Sequence, residues 1–186
     1  MPSRAPDLLL YSDTRSSADL LYLGRVEVHD PFVALRVRGR TITVQNALEF
    51  GRVRKTGDFD VVLPREACLE RARRRYGTKA GLAELIAVVA REHGVKRFRV
   101  ADDFPGALFQ KLTRLGLRLD FANGLLLPER EIKTPWEAEC IREGNRLCSV
   151  GFRAAEAILR SARIQGRRLV HRGRPVTSES LRFAID

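Results

Sequence analysis

Short apolar strands alternate with amphipathic helices along residues 7–127, and this alternation constrains the fold more than any other feature of the sequence. Such alternation is typical of α/β domains, in which helices cover a sheet that contains some parallel strand pairs. An early hairpin around Gly39, with apolar residues at every second position on both sides, adds an antiparallel pair. We therefore predict an α/β domain with a mixed β-sheet flanked by helices.

The individual elements of this stretch follow from periodicity and from start and stop signals. We predict strands over residues 7–12, 33–37, 41–44, 59–63, 97–101, 117–121 and 125–127. We predict helices over residues 46–55, 66–75, 79–92 and 105–115. Asp102 and Asp103 precede the last of these helices, and we expect them to start it because carboxylates accept the free amides of a helix N-terminus.

The composition changes at Pro128, where a charged linker over residues 129–133 begins. Thr134-Pro135-Trp136-Glu137 combines a capping residue, a proline at the first helical position and a glutamate that reaches back. It predicts a long helix that ends near Arg163. One stripe of that helix is apolar and comprises Ile141, Cys148, Phe152, Ala155 and Leu159.

An Arg-rich connection over residues 165–176 follows, and Thr177 or Ser178 caps a last helix of barely two turns. We therefore predict a first domain over residues 1–128. Residues 129–186 are expected to be the linker and the opening helices of an incomplete second domain, so that the chain is truncated.

The chain is strongly basic, with 34 Lys and Arg against 23 Asp and Glu and a formal charge of +11. Nearly all of the cations are arginine. This bias has two alternative interpretations: phosphate recognition, or the codon usage of a GC-rich genome. Six arginines lie between Arg160 and Arg174 with no acidic residue among them. No aromatic side chain interleaves with them to stack on bases, so a solvated or partner-facing surface is favoured over a nucleic-acid site.

Several classes of protein are excluded. The longest early apolar run, Leu8–Tyr11, is far too short for a membrane span or a signal-peptide core. Three scattered cysteines do not form a disulfide framework, and we expect a reducing cytoplasm. The three histidines have no metal-ligand spacing, and the sequence contains neither a nucleophile elbow nor a glycine-rich phosphate loop.

Three stretches of the sequence together match a known pattern. Residues 7–11, the polar loop after them and Leu20-Leu-Tyr-Leu-Gly24 resemble an opening strand and an Asn-Ile-Arg-Tyr-Leu-Thr-Gly segment, although that Asn, Arg and Thr are absent here. Glu131-Ile-Lys-Thr-Pro-Trp-Glu-Ala-Glu-Cys-Ile-Arg142 resembles an interdomain junction of the form Lys–Ser/Thr–Pro–x–Glu followed by Ile–Arg. With the order of hairpin, helix, strand and two helix–strand units, the chain resembles the creatinase, prolidase and Xaa-Pro aminopeptidase family, the pita-bread metallopeptidases. The likeness is to its N-terminal, ribonuclease H-like domain.

The resemblance implies a two-domain hydrolase whose catalytic domain holds two divalent metal ions, Mn, Co or Zn, through two Asp, one His and two Glu. The metals activate a water that attacks a peptide bond, commonly one that precedes proline. All five ligand positions are expected beyond Asp186. We therefore assign no catalytic or metal-binding residue to this chain, and neither His171 nor Glu179 is a candidate.

The resemblance also implies that the full-length parent is a homodimer and that its first domain shapes the dimer contacts and the entrance for peptide substrates. The candidate entrance residues are Asp13, Arg15 and Tyr22. An alternative interpretation is that Asp13 caps a turn and that Tyr22 packs in the core.

Three functional hypotheses remain open at this point. The first is a non-catalytic domain of a metal-dependent Xaa-Pro peptidase-like hydrolase that is inactive alone. The second is a stand-alone basic interaction or nucleic-acid-binding module. The third is a domain of a family pseudo-enzyme, so whether the parent is an active enzyme also stays open.

Overall fold

The computed structural model of the chain describes residues 6–186. It divides into two compact units, Met1–Arg130 and Glu131–Asp186. Each unit is described by itself.

The first unit is built on one six-stranded mixed sheet. Its strands are β1 (Leu8–Ser12), β2 (Phe32–Val37), β3 (Arg40–Gln45), β4 (Val61–Pro64), β5 (Arg97–Val100) and β6 (Arg118–Phe121). Their order across the sheet is β4-β3-β2-β1-β5-β6. The β1/β2 and β2/β3 pairs are antiparallel, whereas β3/β4, β1/β5 and β5/β6 are parallel. The predicted mixed α/β fold is therefore confirmed.

Helices cover both faces of this sheet. They are α1 (Ala18–Gly24), α2 (Ala47–Thr56), α3 (Arg65–Tyr76), α4 (Leu82–Glu92) and α5 (Gly106–Arg114), followed by a 3₁₀ helix over Pro128–Arg130. On one face α3, α4 and α5 bury a core with β-strand residues such as Leu35 and Phe98. On the other face α1 and α2 bury a second, smaller core that includes Leu10 and Phe32. Each large aliphatic or aromatic side chain buried in this way contributes about 1.5–3 kcal/mol.

Local signals in the sequence set several boundaries as predicted. Arg38 and Gly39 both have positive φ angles, +52° and +81°, and form the two-residue turn that suits the twist of the β2/β3 hairpin. The side chain of Asn46 accepts a hydrogen bond from the amide of Glu49 at 2.9 Å and caps α2.

Two predictions in the first unit are wrong. Residues 125–127 do not form a strand; Leu126 and Leu127 are buried loop residues of the second core. Neither Asp102 nor Asp103 caps α5, which has no side-chain cap. The carboxylate of Asp102 instead accepts the amides of Asn123 and Gly124, both at 2.9 Å, in the segment after β6.

The second unit contains two helices and a small sheet. Its elements are α6 (Pro135–Ser161), β7 (Arg163–Gln165), β8 (Arg168–His171), β9 (Arg174–Pro175) and α7 (Ser178–Ile185). Thr134 and Glu137 form the predicted capping box of α6, and Thr177 caps α7. The predicted Arg-rich connection is instead an antiparallel meander, whose turns use Gly166 and Gly173 at positive φ.

The apolar stripe predicted on α6 is largely exposed in the structure. Phe152 is 75% exposed, and within α6 only Gly151 is buried. At Gly151 the helix α7 approaches closely, since a Cβ there would lie 2.8 Å from Ile185. None of the helices in residues 6–186 is long and apolar enough to cross a membrane.

Candidate functional site

A crevice opens at the carboxyl ends of the adjacent parallel strands β1 and β5. The chain leaves β1 toward α1 on one face of the sheet and leaves β5 toward α5 on the other face. In open α/β sheets, ligands bind where the connections diverge in this way. A cavity of about 110 Å³ lies there, and its polar lining residues are Ser12, Ser17 and Asp103. This volume is below the roughly 300–1,000 Å³ of small-molecule pockets, so the crevice can receive a single side chain and cannot enclose a dipeptide.

Asp13, the first predicted entrance residue, shapes the loop after β1. Its carboxylate accepts the amides of Arg15 and Ser16 at 2.8 Å and the hydroxyl of Ser16 at 2.9 Å. The amide and the hydroxyl of Ser16 lower the pKa of Asp13, because they stabilise the ionised form. Asp13 therefore caps a turn, as the alternative interpretation of the sequence held.

Thr14 anchors the same loop, and the sequence analysis missed it. Its side chain is buried, donates a hydrogen bond to the carbonyl of Val28 at 3.0 Å and accepts one from the amide of Val28 at 2.8 Å. The amide of Thr14 donates to the same carbonyl at 3.0 Å. These bonds hold the loop to a segment fourteen residues away along the chain. The backbone that carries Asp13 and Arg15 is therefore held in place.

The other two predicted entrance residues differ in their surroundings. Arg15 is exposed, and its guanidinium forms no hydrogen bond or ion pair with any residue between 6 and 186. Tyr22 is half-buried on α1 and packs against the smaller core, with the guanidinium carbon of Arg25 at 5.9 Å from its ring centroid. The packing of Tyr22 again agrees with the alternative interpretation. An entrance role for Asp13, Arg15 and Tyr22 stays a prediction.

A second surface, on strands β5 and β6, was not anticipated from the sequence. Arg97 and Arg99 alternate with buried Phe98 and Val100 along β5, so the arginines share one face of the sheet. Arg118 lies beside Arg97 in the parallel register of β6. The sequence signal for this surface is the alternation of arginine with apolar residues along β5. Such alternating arginines do not form a contiguous basic run, so composition alone does not single them out.

The arginines that the sequence analysis singled out do not form one surface. In the meander Arg163 lies opposite Val170, and Arg174 lies opposite His171. Successive strand residues point to opposite faces, so these two arginines lie on different faces of the small sheet. The six arginines between Arg160 and Arg174 therefore do not all share one face. A shorter group of arginines on α3, at residues 71 and 73–75, is partly neutralised, since Arg71 pairs with Glu92 at 2.8 Å and Arg74 pairs with Glu70.

The residues present do not fit the metal pair that the resemblance implies. Within residues 6–186, no group of three or more His, Cys, Asp or Glu side chains is placed to hold a metal ion. His171, for example, contacts the hydroxyl of Ser161 through Nδ1 at 3.0 Å.

Solved structures share this fold. An Xaa-Pro dipeptidase from Bacillus anthracis matches 97% of this chain with a TM-score of 0.67 and 15% sequence identity, and the match covers 44% of that protein. An X-Pro aminopeptidase from Thermotoga maritima matches 97% of the chain with a TM-score of 0.68 and 11% identity, over 45% of that protein. A prolidase from Pyrococcus furiosus matches 82% of the chain with a TM-score of 0.57 and 10% identity, over 39% of that protein.

The chain thus spans less than half the length of these three solved structures. No protein-family model and no curated protein sequence matches it. The resemblance predicted from the sequence is confirmed at the level of the fold.

Proposed function

We propose that this chain is the non-catalytic N-terminal part of a metal-dependent Xaa-Pro peptidase-like hydrolase and is inactive alone. One observation carries the proposal: nearly the whole chain shares its fold with an Xaa-Pro dipeptidase, of which it accounts for 44%. This coverage supports the proposal that the chain forms one part of a longer protein.

The role proposed for this part is to shape the substrate entrance and the subunit contacts of a homodimeric parent. The loop after β1 supports the entrance role, because Thr14 and Asp13 fix its backbone while Arg15 remains exposed at its tip. An exposed guanidinium on a fixed backbone suits contact with the carboxylate of a peptide or with an acidic side chain of a neighbouring subunit. The divalent metal pair, Mn, Co or Zn, is proposed to be held by other residues of the parent.

Equilibrium dialysis of the purified 186-residue protein against Mn²⁺ tests this proposal. At micromolar Mn²⁺, we expect nearly equal metal concentrations on the two sides of the dialysis membrane, which corresponds to less than one tightly bound Mn²⁺ per chain. Binding of two Mn²⁺ per chain would contradict the proposal, because the chain would then hold a complete metal centre.

A further inference from the structure

One face of the β5/β6 strand pair is left uncovered by the helices of the first unit. Over strands β1 and β2, the corresponding face is buried under α1, α2 and Leu126–Leu127. On β5 and β6 it carries Arg97, Arg99 and Arg118, all exposed, which we call the basic strand face. Sheets of parallel strands usually have both faces covered by helices, so the exposed face of this parallel pair, at the edge of a mixed sheet, is available to a partner.

The basic strand face is rich in cations that are not neutralised by the chain. Arg97 forms an ion pair with Asp120 at 2.6 Å. The guanidinium groups of Arg99 and Arg118 form no ion pair or side-chain hydrogen bond with any residue between 6 and 186. The hydrogen bond from Arg97 lowers the pKa of Asp120, and the charges of Arg97, Arg99 and Arg118 lower it further.

An open groove adjoins this face at the amino end of β5. It has a volume of about 810 Å³. Four cations and two carboxylates line it: Arg38, Lys96, Arg97 and Arg99, and Asp7 and Asp120. Cations outnumber carboxylates in this lining, so the groove extends the positive surface beyond the two strands and favours an anionic occupant.

We propose that the basic strand face is a docking surface for an extended, acidic segment of a protein partner. Arg97 and Arg99 are two residues apart on β5, which separates their Cα atoms by roughly 6.6 Å. An extended peptide with carboxylates at alternate positions repeats at the same distance of about 6.6 Å, so successive carboxylates meet successive guanidinium groups.

A single-stranded nucleic acid fits this surface less well. Base stacking needs exposed aromatic rings. Phe98 is buried on the opposite face of the sheet. Phe121 also points to that opposite face, where it is 42% exposed and stacks on Phe109 with ring centroids 4.9 Å apart. The basic strand face itself thus offers charges for carboxylates, while the exposed part of Phe121 lies across the sheet from them.

Fluorescence anisotropy tests the proposal with the full 186-residue chain. The probe is a short labelled peptide with glutamate at every second position, and the same peptide with glutamine is the neutral comparison. Removing two cations in Arg99→Gln/Arg118→Gln is expected to raise the Kd of the acidic peptide by about three- to tenfold, as for two exposed ion pairs. The matched control, Arg54→Gln/Arg73→Gln on α2 and α3, removes the same charge elsewhere and is expected to change the Kd less than about twofold.

A variant that binds the acidic peptide more tightly provides a test that misfolding cannot mimic. Asp120→Asn removes a carboxylate from the face and releases Arg97, so it is expected to tighten binding by about twofold or more. Three results would each overturn the proposal: no binding of the acidic peptide, equal losses in both double variants, or weaker binding by Asp120→Asn. Tighter binding of an oligothymidylate of the same length, lost in Arg99→Gln/Arg118→Gln, would also overturn it and would assign the face to nucleic acid.

Discussion

At the scale of single residues, the loop after β1 depends on a buried hydroxyl. The hydroxyl of Thr14 both donates to and accepts from the backbone of Val28, and it thereby fixes the segment that carries Asp13 and Arg15. The carboxylate of Asp13 closes the turn within the loop by accepting the amides of Arg15 and Ser16, whereas Thr14 ties the loop to the rest of the fold. The attachment of the loop to the fold thus rests on an uncharged side chain.

Thr14→Val keeps the shape of the side chain and removes both of its hydrogen bonds. The buried amide of Val28 loses its partner, so we expect the free energy of unfolding to fall by about 1–3 kcal/mol. Thr113→Val is the matched control, because the hydroxyl of Thr113 bonds to a helix carbonyl on an exposed surface and its loss should cost less than about 0.5 kcal/mol. Urea unfolding of both variants measures the difference, and equal losses would contradict the anchoring role of Thr14.

The sequence predicted part of this site and could not predict the rest. A turn capped by Asp13 was recognised as an alternative because it is local: the partners of its carboxylate are two and three residues away. The partner of Thr14 lies fourteen residues away, and only the packed fold brings it close. The strand register likewise decides that Arg97 and Arg118 are neighbours, which no local pattern shows.

A pair of glycines makes a second prediction at this scale. A Cβ on Gly24 would lie 2.3 Å from the ring of Phe59, so Gly24→Ala should lower the free energy of unfolding by about 1–3 kcal/mol through overpacking. Gly51 lies on α2 with nothing within 4 Å of such a Cβ, so Gly51→Ala should raise it by about 0.5–1 kcal/mol. Thermal unfolding of the two variants should shift in opposite directions, and a shift in the same direction would show that the packing at Gly24 is looser than described.

At the scale of elements, the predictable parts are those specified by neighbouring residues. The hairpin at Gly39, the cap at Asn46 and the capping box at Thr134 all follow from local patterns. The meander was missed because its strands are two to four residues long, too short to show a period of two. The run at residues 125–127 was mistaken for a strand because a buried loop and a buried strand are equally apolar.

An ion pair joins β2 to the 3₁₀ helix and gives the first unit a pH dependence. Burial opposes ionisation of Glu129, but its own backbone amide and the adjacent Arg36 outweigh burial and lower its pKa below the ordinary 4.5. Because the pKa is lowered by folding, the contribution of Glu129 is complete above pH 4.5 and is lost as the pH falls through the folded-state value. Glu129 is 41% exposed, so solvent screening limits this contribution to about 1 kcal/mol.

Glu129→Gln should therefore destabilise the chain near neutral pH and lose that effect in acid. The measurement is urea unfolding of the variant and of the unsubstituted chain from neutral pH into acid, where the two curves should converge as the pH falls through the lowered pKa of Glu129 and its carboxyl takes up a proton. Glu70→Gln is the control, since it breaks an exposed pair on α3 and should cost only a few tenths of a kcal/mol. A difference for Glu129→Gln that persisted unchanged in acid would contradict the assigned ion pair.

At the scale of the whole molecule, the order of elements predicted the fold. The succession of hairpin, helix, strand and helix–strand units predicts a mixed sheet, and the match to an Xaa-Pro dipeptidase over 97% of the chain confirms that fold. Function is less directly encoded, because one fold hosts many activities and the chemistry depends on specific side chains. In residues 6–186 the notable side chains form the turn at Asp13 and the basic strand face, and no cluster suited to a metal.

Hydrolysis of Xaa-Pro dipeptides by the purified 186-residue protein, supplied with Mn²⁺ or Co²⁺, tests the proposed non-catalytic role most directly. Dipeptides without proline and reactions containing metal alone provide the blanks. We predict no release of proline above the metal-only blank at any protein concentration. Release that increases in proportion to protein and is abolished by a chelator would contradict the proposal and would show that this chain contains a working active site.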